Sequence, residues 1–165
     1  MCTCETVNDI GGETLPIPST VSKRIPPQVL PPPTTEIQKQ GLRYEKKVVK
    51  ALKTRGCELE HNPWFSYNTS CYCPDIIIYE LPLNRIIVVE VKLTYTPMAL
   101  AKLRGLYCPM IKSATTIERY KVFPLVICKN ITPNVLNDLF FNDSIHSAVE
   151  SHSPIYVWPG NGPIT

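Results

Sequence analysis

Apolar residues recur along this chain with two different periods, and the switch between them marks out the elements. Glu45, Val48, Val49 and Leu52 fall at i, i+3, i+4 and i+7, which is one face of a helix. Thr35-Glu36-Ile37-Gln38 is a capping box that opens this helix, and Gly56 is a natural residue to close it after Arg55. Arg43, Lys46, Lys47, Lys50 and Lys53 take mostly the other faces. Shorter apolar runs follow at residues 57–67 (interrupted near Pro63), 75–81, 85–93 and 122–128, and each reads as a strand. Leu81-Pro82-Leu83-Asn84 joins the second and third as an antiparallel hairpin. Thr96-Pro97 opens a helix that turns Leu100, Leu103, Leu106, Tyr107 and Met110 inward. Thr132-Pro133 starts a short helix through Phe140, and residues 155–158 make a last strand. The order α-β-β-β-α-β-α-β predicts an α/β fold with a mixed central sheet flanked by helices.

Three of these apolar runs carry charges that do not belong in a core. Pro74-Asp75 leads into Ile76-Ile77-Ile78, and Ile86-Ile87-Val88-Val89 leads into Glu90-Val91-Lys92. Buried carboxylates are costly unless they pair or hold a cation. Strand side chains alternate, so Ile86, Val88, Glu90 and Lys92 share one face. If the strand after Asp75 pairs with this one, Asp75, Glu90 and Lys92 converge at one strand end. Glu45 lies on the apolar stripe of the first helix and points inward with them. The plain alternative for Glu45 is a salt bridge at the edge of the core, with Lys92 as its partner. His61 and Tyr44 lie close by, with exposure and core packing as their simpler roles.

Composition adds bounds. The length of 165 residues fits one domain, and a net charge of +3 is too small to identify a partner. Seven of the 17 prolines crowd the first 33 residues. Residues 1–34 therefore read as a flexible Pro-rich arm, able to dock a protein partner but more simply a solvated spacer, and residues 35–165 as a single domain. There is no apolar run of about 20 residues to span a bilayer, and the start lacks a signal-peptide pattern, so a cytoplasmic protein is expected. Seven cysteines cannot all pair within the chain, and reduced thiols are expected. Cys2-Thr3-Cys4 and Cys71-Tyr72-Cys73 lack the two-residue spacing of zinc knuckles.

Gly41-Leu42-Arg43-Tyr44-Glu45, then Pro74-Asp75, then Glu90-Val91-Lys92 in this strand context resembles the PD-(D/E)XK nuclease superfamily over about residues 36–130. The helix start and short length look closest to Holliday-junction-resolvase-like and small phage-type endonucleases. Leu103 stands where the helicase-coupled exonucleases place the Gln of Gln-x-x-x-Tyr, ahead of Tyr107. The resemblance implies a restriction-endonuclease-like αβββαβ core and a metal-dependent DNA endonuclease of repair, recombination or phage DNA processing. It implies that Asp75, Glu90 and the Val91 carbonyl hold Mg²⁺ or Mn²⁺, that Glu45 holds a second ion or water, and that Lys92 orients the attacking water. Lys46, Lys47, Lys50, Lys102 and Arg104 are the candidate DNA contacts, each equally readable as a solvated position. Cutting both strands symmetrically would need a homodimer. The competing reading is a catalytically silent nucleic-acid-binding or assembly module on the same fold.

Overall fold

The computed structural model describes residues 21–114, 119–133 and 142–165. The chain forms β1 (Lys23–Ile25), α1 (Glu36–Arg55), β2 (Glu58–His61), β3 (Trp64–Tyr67), β4 (Ser70–Tyr72), β5 (Ile76–Glu80) and β6 (Arg85–Thr94). These are followed by α2 (Pro97–Lys102), a π turn (Leu103–Tyr107), α3 (Cys108–Ala114), β7 (Lys121–Asn130), α4 (Ile145–Glu150) and β8 (Ile155–Val157). The expected helix from Thr132 to Phe140 falls for the most part outside the described residues, as do Cys2 and Cys4.

The main sheet has five strands in the order β2-β5-β6-β7-β8. β2/β5 and β5/β6 are antiparallel, whereas β6/β7 and β7/β8 are parallel, so the sheet is mixed. Both faces of β5, β6 and β7 are covered, which is why their sequences read as unbroken apolar runs. On one face, Ile76, Ile78, Ile87, Val89, Leu125 and Ile127 pack under α1 through Tyr44, Val48, Val49 and Leu52. On the other, Ile77, Ile86, Val88 and Val126 pack under Leu100, Leu103, Tyr107 and Met110 of the segment from α2 to α3.

The ends of α1 follow their sequence signals. The Gln38 N–H donates to the Thr35 hydroxyl oxygen at 3.2 Å and the Gln38 side-chain oxygen accepts from Thr35 N–H, also at 3.2 Å. Gly56 closes the helix at φ 95°, a left-handed conformation that a side chain would strain.

Two expectations are corrected. The run 57–67 is two strands in two sheets: β2 joins the main sheet, and β3 joins β1 and β4 in a small three-stranded sheet. Asn62, at φ 53° just before Pro63, turns the chain between them. The end of the presumed spacer is also structured, because Lys23–Ile25 pairs antiparallel with Trp64–Ser66. Buried Ser22 donates its hydroxyl to the Met110 carbonyl at 2.7 Å, and Arg24 forms a bidentate pair with Glu60. The prolines misled here because Pro26 and Pro27 follow β1 without interrupting it.

Candidate active site

Strand lengths create the site. β5 begins at Ile76, opposite Val89, so β6 from Glu90 onward has no strand neighbour on that side, while β7 stays paired with it as far as Thr94. Asp75 sits where β5 would have continued. Its Oδ2 accepts the Val91 N–H at 2.7 Å, so a side chain replaces the missing backbone partner. In a strand the N–H and C=O of one residue point to the same side, so the Val91 carbonyl faces that gap too. β2 ends at His61, opposite Ile76, and brings its ring to the same place.

Alternation puts Asp75 with Ile77 and Glu90 with Val88, on the face covered by α2 and the π turn. Glu45 comes from α1 on the opposite face. The two faces meet only because the sheet stops here. Glu45 lies 3.0 Å from His61 Nε2, and its carboxyl also acts on that of Asp75. The expected edge partner of Glu45 was Lys92; His61 takes that place, and Lys92 Nζ instead lies 3.8 Å from Glu90 Oε2.

The electrostatics follow from crowding. Burial pushes the Asp75 carboxyl well above its ordinary value, and the charges of Glu90 and Glu45 push it further, against the Val91 N–H. Glu90 is 2% exposed, and burial raises its carboxyl as well. Lys102 and then Lys92 hold it down. Asp75 and Glu90 are therefore short of positive charge at this gap.

Lys102 was expected as a DNA contact on an exposed face. Its ammonium lies 4.8 Å from the centre of the Tyr107 ring, and its charge acts on Glu90. Residues five apart on an α-helix point about 140° apart, but the π turn Leu103–Tyr107 brings Lys102 over Tyr107. Tyr107 is buried, and its phenol is raised by burial and then by the charges of Glu90 and Asp75. Sequence spacing marked Tyr107 only as a core residue, and a π turn leaves no periodic signal by which to find this pairing. Arg104 donates to the His152 carbonyl at 2.9 Å. Lys46, Lys47 and Lys50 are exposed on α1, and Lys47 and Lys50 line a groove on another side of that helix.

The donors available are hard oxygens, the class that suits Mg²⁺ or Mn²⁺. Among the described residues, no group of three His, Cys, Asp or Glu side chains is arranged as a ready ligand set. Two carboxyls and a main-chain carbonyl are what the gap offers. Cys57, Cys108 and Cys128 are free thiols, whereas Cys71 is disulfide-bonded, contrary to the expectation of reduced thiols throughout. No helix of the described residues is long and apolar enough to cross a membrane. No family model, curated protein or solved structure matches this chain.

Proposed function

We propose that the chain is a metal-dependent nuclease of the PD-(D/E)XK type, with a restriction-endonuclease-like core formed by α1, β2, β5, β6, the segment from α2 to α3, and β7. The observation that carries this reading is the convergence of Asp75, Glu90 and Glu45 with Lys92 and Lys102 at the end of β5. Burial and mutual repulsion raise the Asp75 and Glu90 carboxyls, and such a pair marks a place suited to added positive charge. Asp75, Glu90 and the Val91 carbonyl would hold Mg²⁺ or Mn²⁺. Such an ion, when bound, supplies charge neutralisation at the scissile phosphate and a more acidic water.

The chain's own groups do the rest. The Val91 N–H donates to Asp75 Oδ2 and orients that carboxyl. Lys92, with 42% of its side chain exposed, is free to face both Glu90 and a phosphate oxygen. Glu45, held by His61, orients a water or a second ion. Labelled single-stranded, duplex, flap and four-way-junction DNA incubated with Mg²⁺ or Mn²⁺ tests the reading. Cutting slowed by about 10²–10³ in a folded Lys92→Ala variant is the expected result. No cutting of any form by wild type, or cutting by that variant at the wild-type rate, ends it.

One observation favours the silent-module alternative: the described residues hold no ready set of three side-chain ligands. Calorimetric titration with Mn²⁺ separates the two, because a binding-only module gives no heat that Asp75→Asn removes.

A further inference from the structure

On the flank of α1 away from the carboxyls, a groove of about 610 Å³ runs between the helix and the C-terminal segment. Lys47, Lys50 and Arg55 line it from the helix, over an apolar floor that includes Ala51, Pro163 and Ile164. A smaller hollow of about 160 Å³ continues it past Lys47 and Gly160 to Arg43 and Lys129. No acidic residue lines either one. Arg43 is paired with Glu36 at 2.8 Å, but Lys47, Lys50 and Lys129 have no acidic partner among the described residues.

The far wall is set in place. Tyr44 donates its hydroxyl to the Trp158 carbonyl at 2.8 Å. Beyond it the chain turns back through Gly160 at φ 96° and Gly162 at φ 75°. Both are left-handed conformations suited to glycine.

Arg43, Lys47 and Lys50 stand at i, i+4 and i+7, one stripe of the helix, with Arg55 beside its end. From Arg43 to Arg55 this row covers about 18 Å. We propose that the groove seats one strand of nucleic acid, its phosphates along the α1 row and its bases toward the apolar floor. A single row of cations complements one backbone, whereas a duplex presents two. The lining residues of the groove belong to a helix and a turn-rich segment, and none of them belongs to β8, the edge strand of the main sheet beside it. Single-strand sites combine a positively charged groove with aromatic side chains on which bases stack, and Trp158 lines this one. The inference deepens the nuclease reading, on which it rests for the class of its partner, and places strand binding on a surface separate from the chemistry.

Fluorescence anisotropy of a labelled 15-nucleotide DNA strand, in EDTA and across a salt series, tests it. Lys50→Glu/Arg55→Glu is compared with Lys39→Glu/Lys121→Glu, which makes the same charge change outside the groove; Lys50→Gln/Arg55→Gln stands in if charge reversal impairs folding. The groove variant should bind about tenfold or more weaker, with the slope of log K against log salt reduced by about 1.4, roughly 0.7 per lost contact. The control should bind like wild type. Equal losses in both variants, no loss in either, duplex of the same length binding more tightly than the strand, or displacement by poly-glutamate at equal charge would overturn the proposal. The nuclease reading fails separately. Binding that depends on the groove, in a protein that cuts nothing, removes the chemistry and leaves the groove standing.

Discussion

Asp75 Oδ2 accepts the Val91 N–H at 2.7 Å, at the point where β5 has run out and β6 has not. One carboxyl thus does two jobs, closing the sheet edge and supplying charge to the gap beside Glu90. The first job needs only an acceptor oxygen. The second needs ionisation, which burial and two neighbouring carboxyls resist.

Asp75→Asn separates those jobs. The amide keeps an oxygen for Val91 N–H and gains a donor for Glu45, while the repulsion with Glu90 is removed. Stability should rise by about 1–2 kcal/mol, the usual return for relieving a functional strain. For a chain of this size that is about 2–8 °C in melting temperature. Cutting should be lost in the same variant. Thermal melts and a cleavage assay on one preparation check both halves, and a lower melting temperature would show that the gap carries no carboxylate strain.

The same strain fixes a pH dependence. Asp75 and Glu90 have folded-state values raised above the ordinary 3.8 and 4.5. A raised acid favours the folded state fully at pH below its ordinary value, and that contribution is lost as pH rises through the folded value. In EDTA the stability advantage of Asp75→Asn over wild type should therefore grow as pH rises above the ordinary carboxyl value and through the raised folded value. Mn²⁺ should close that difference by stabilising wild type alone, and more so at the higher pH. A pH-independent difference, or equal stabilisation of both proteins by Mn²⁺, would count against a charge-starved gap.

How much of this was legible beforehand depends on which residues announce themselves by period. α1, the β5–β6 hairpin and the helix start at Pro97 follow from apolar spacing, Thr35, Gly56 and the Thr96-Pro97 pair. The gathering of Glu45, Asp75 and Glu90 was readable because charges inside apolar runs need a reason. Three features were not. The fate of residues 57–67 depended on a left-handed Asn62, and β1 is a three-residue strand stabilised by distant partners such as Glu60 and Met110. The Lys102–Tyr107 pairing depends on a π turn, which breaks the very period used to place side chains.

Lys92 and Lys102 should divide their labour. Lys92→Ala should cost about 10²–10³ in cutting rate, the scale of losing one charge-stabilising donor. Its half-exposed side chain carries little fold stability, so the melting temperature should move by no more than about 2 °C. Lys102→Met acts through Glu90. With that ammonium gone, the Glu90 carboxyl ionises at higher pH, so the acidic limb of the kcat/KM profile should move upward in pH. Loss of rate without movement of that limb would make Lys102 a phosphate contact and not a partner of Glu90.

The opposite end of β6 offers a test of stability free of the chemistry. Arg85 is 6% exposed and donates to Glu150 Oε1 at 2.8 Å and Glu80 Oε2 at 3.0 Å, with His146 Nδ1 at 3.1 Å from the same guanidinium. It ties the start of β6 to the end of β5 and to α4, and its Nε has no hydrogen-bond partner among the described residues. Breaking a buried pair costs about 3–5 kcal/mol when the remaining charge is trapped. Here Glu80 and Glu150 keep 23% and 56% of their side chains exposed and can turn to water, so Arg85→Ala should cost about 2–3 kcal/mol. Arg85→Met refills the volume and should cost less, and Glu150→Ala should stay within about 0.5 kcal/mol. Urea denaturation measures all three. Mn²⁺ binding and cutting by the folded variants should match wild type, because Arg85 lies five residues, or about 16 Å, along the strand from Glu90. Loss of Mn²⁺ binding in Arg85→Met would mean that the carboxyl gap is held open from the far end of the sheet, and not by the Asp75–Val91 bond beside it.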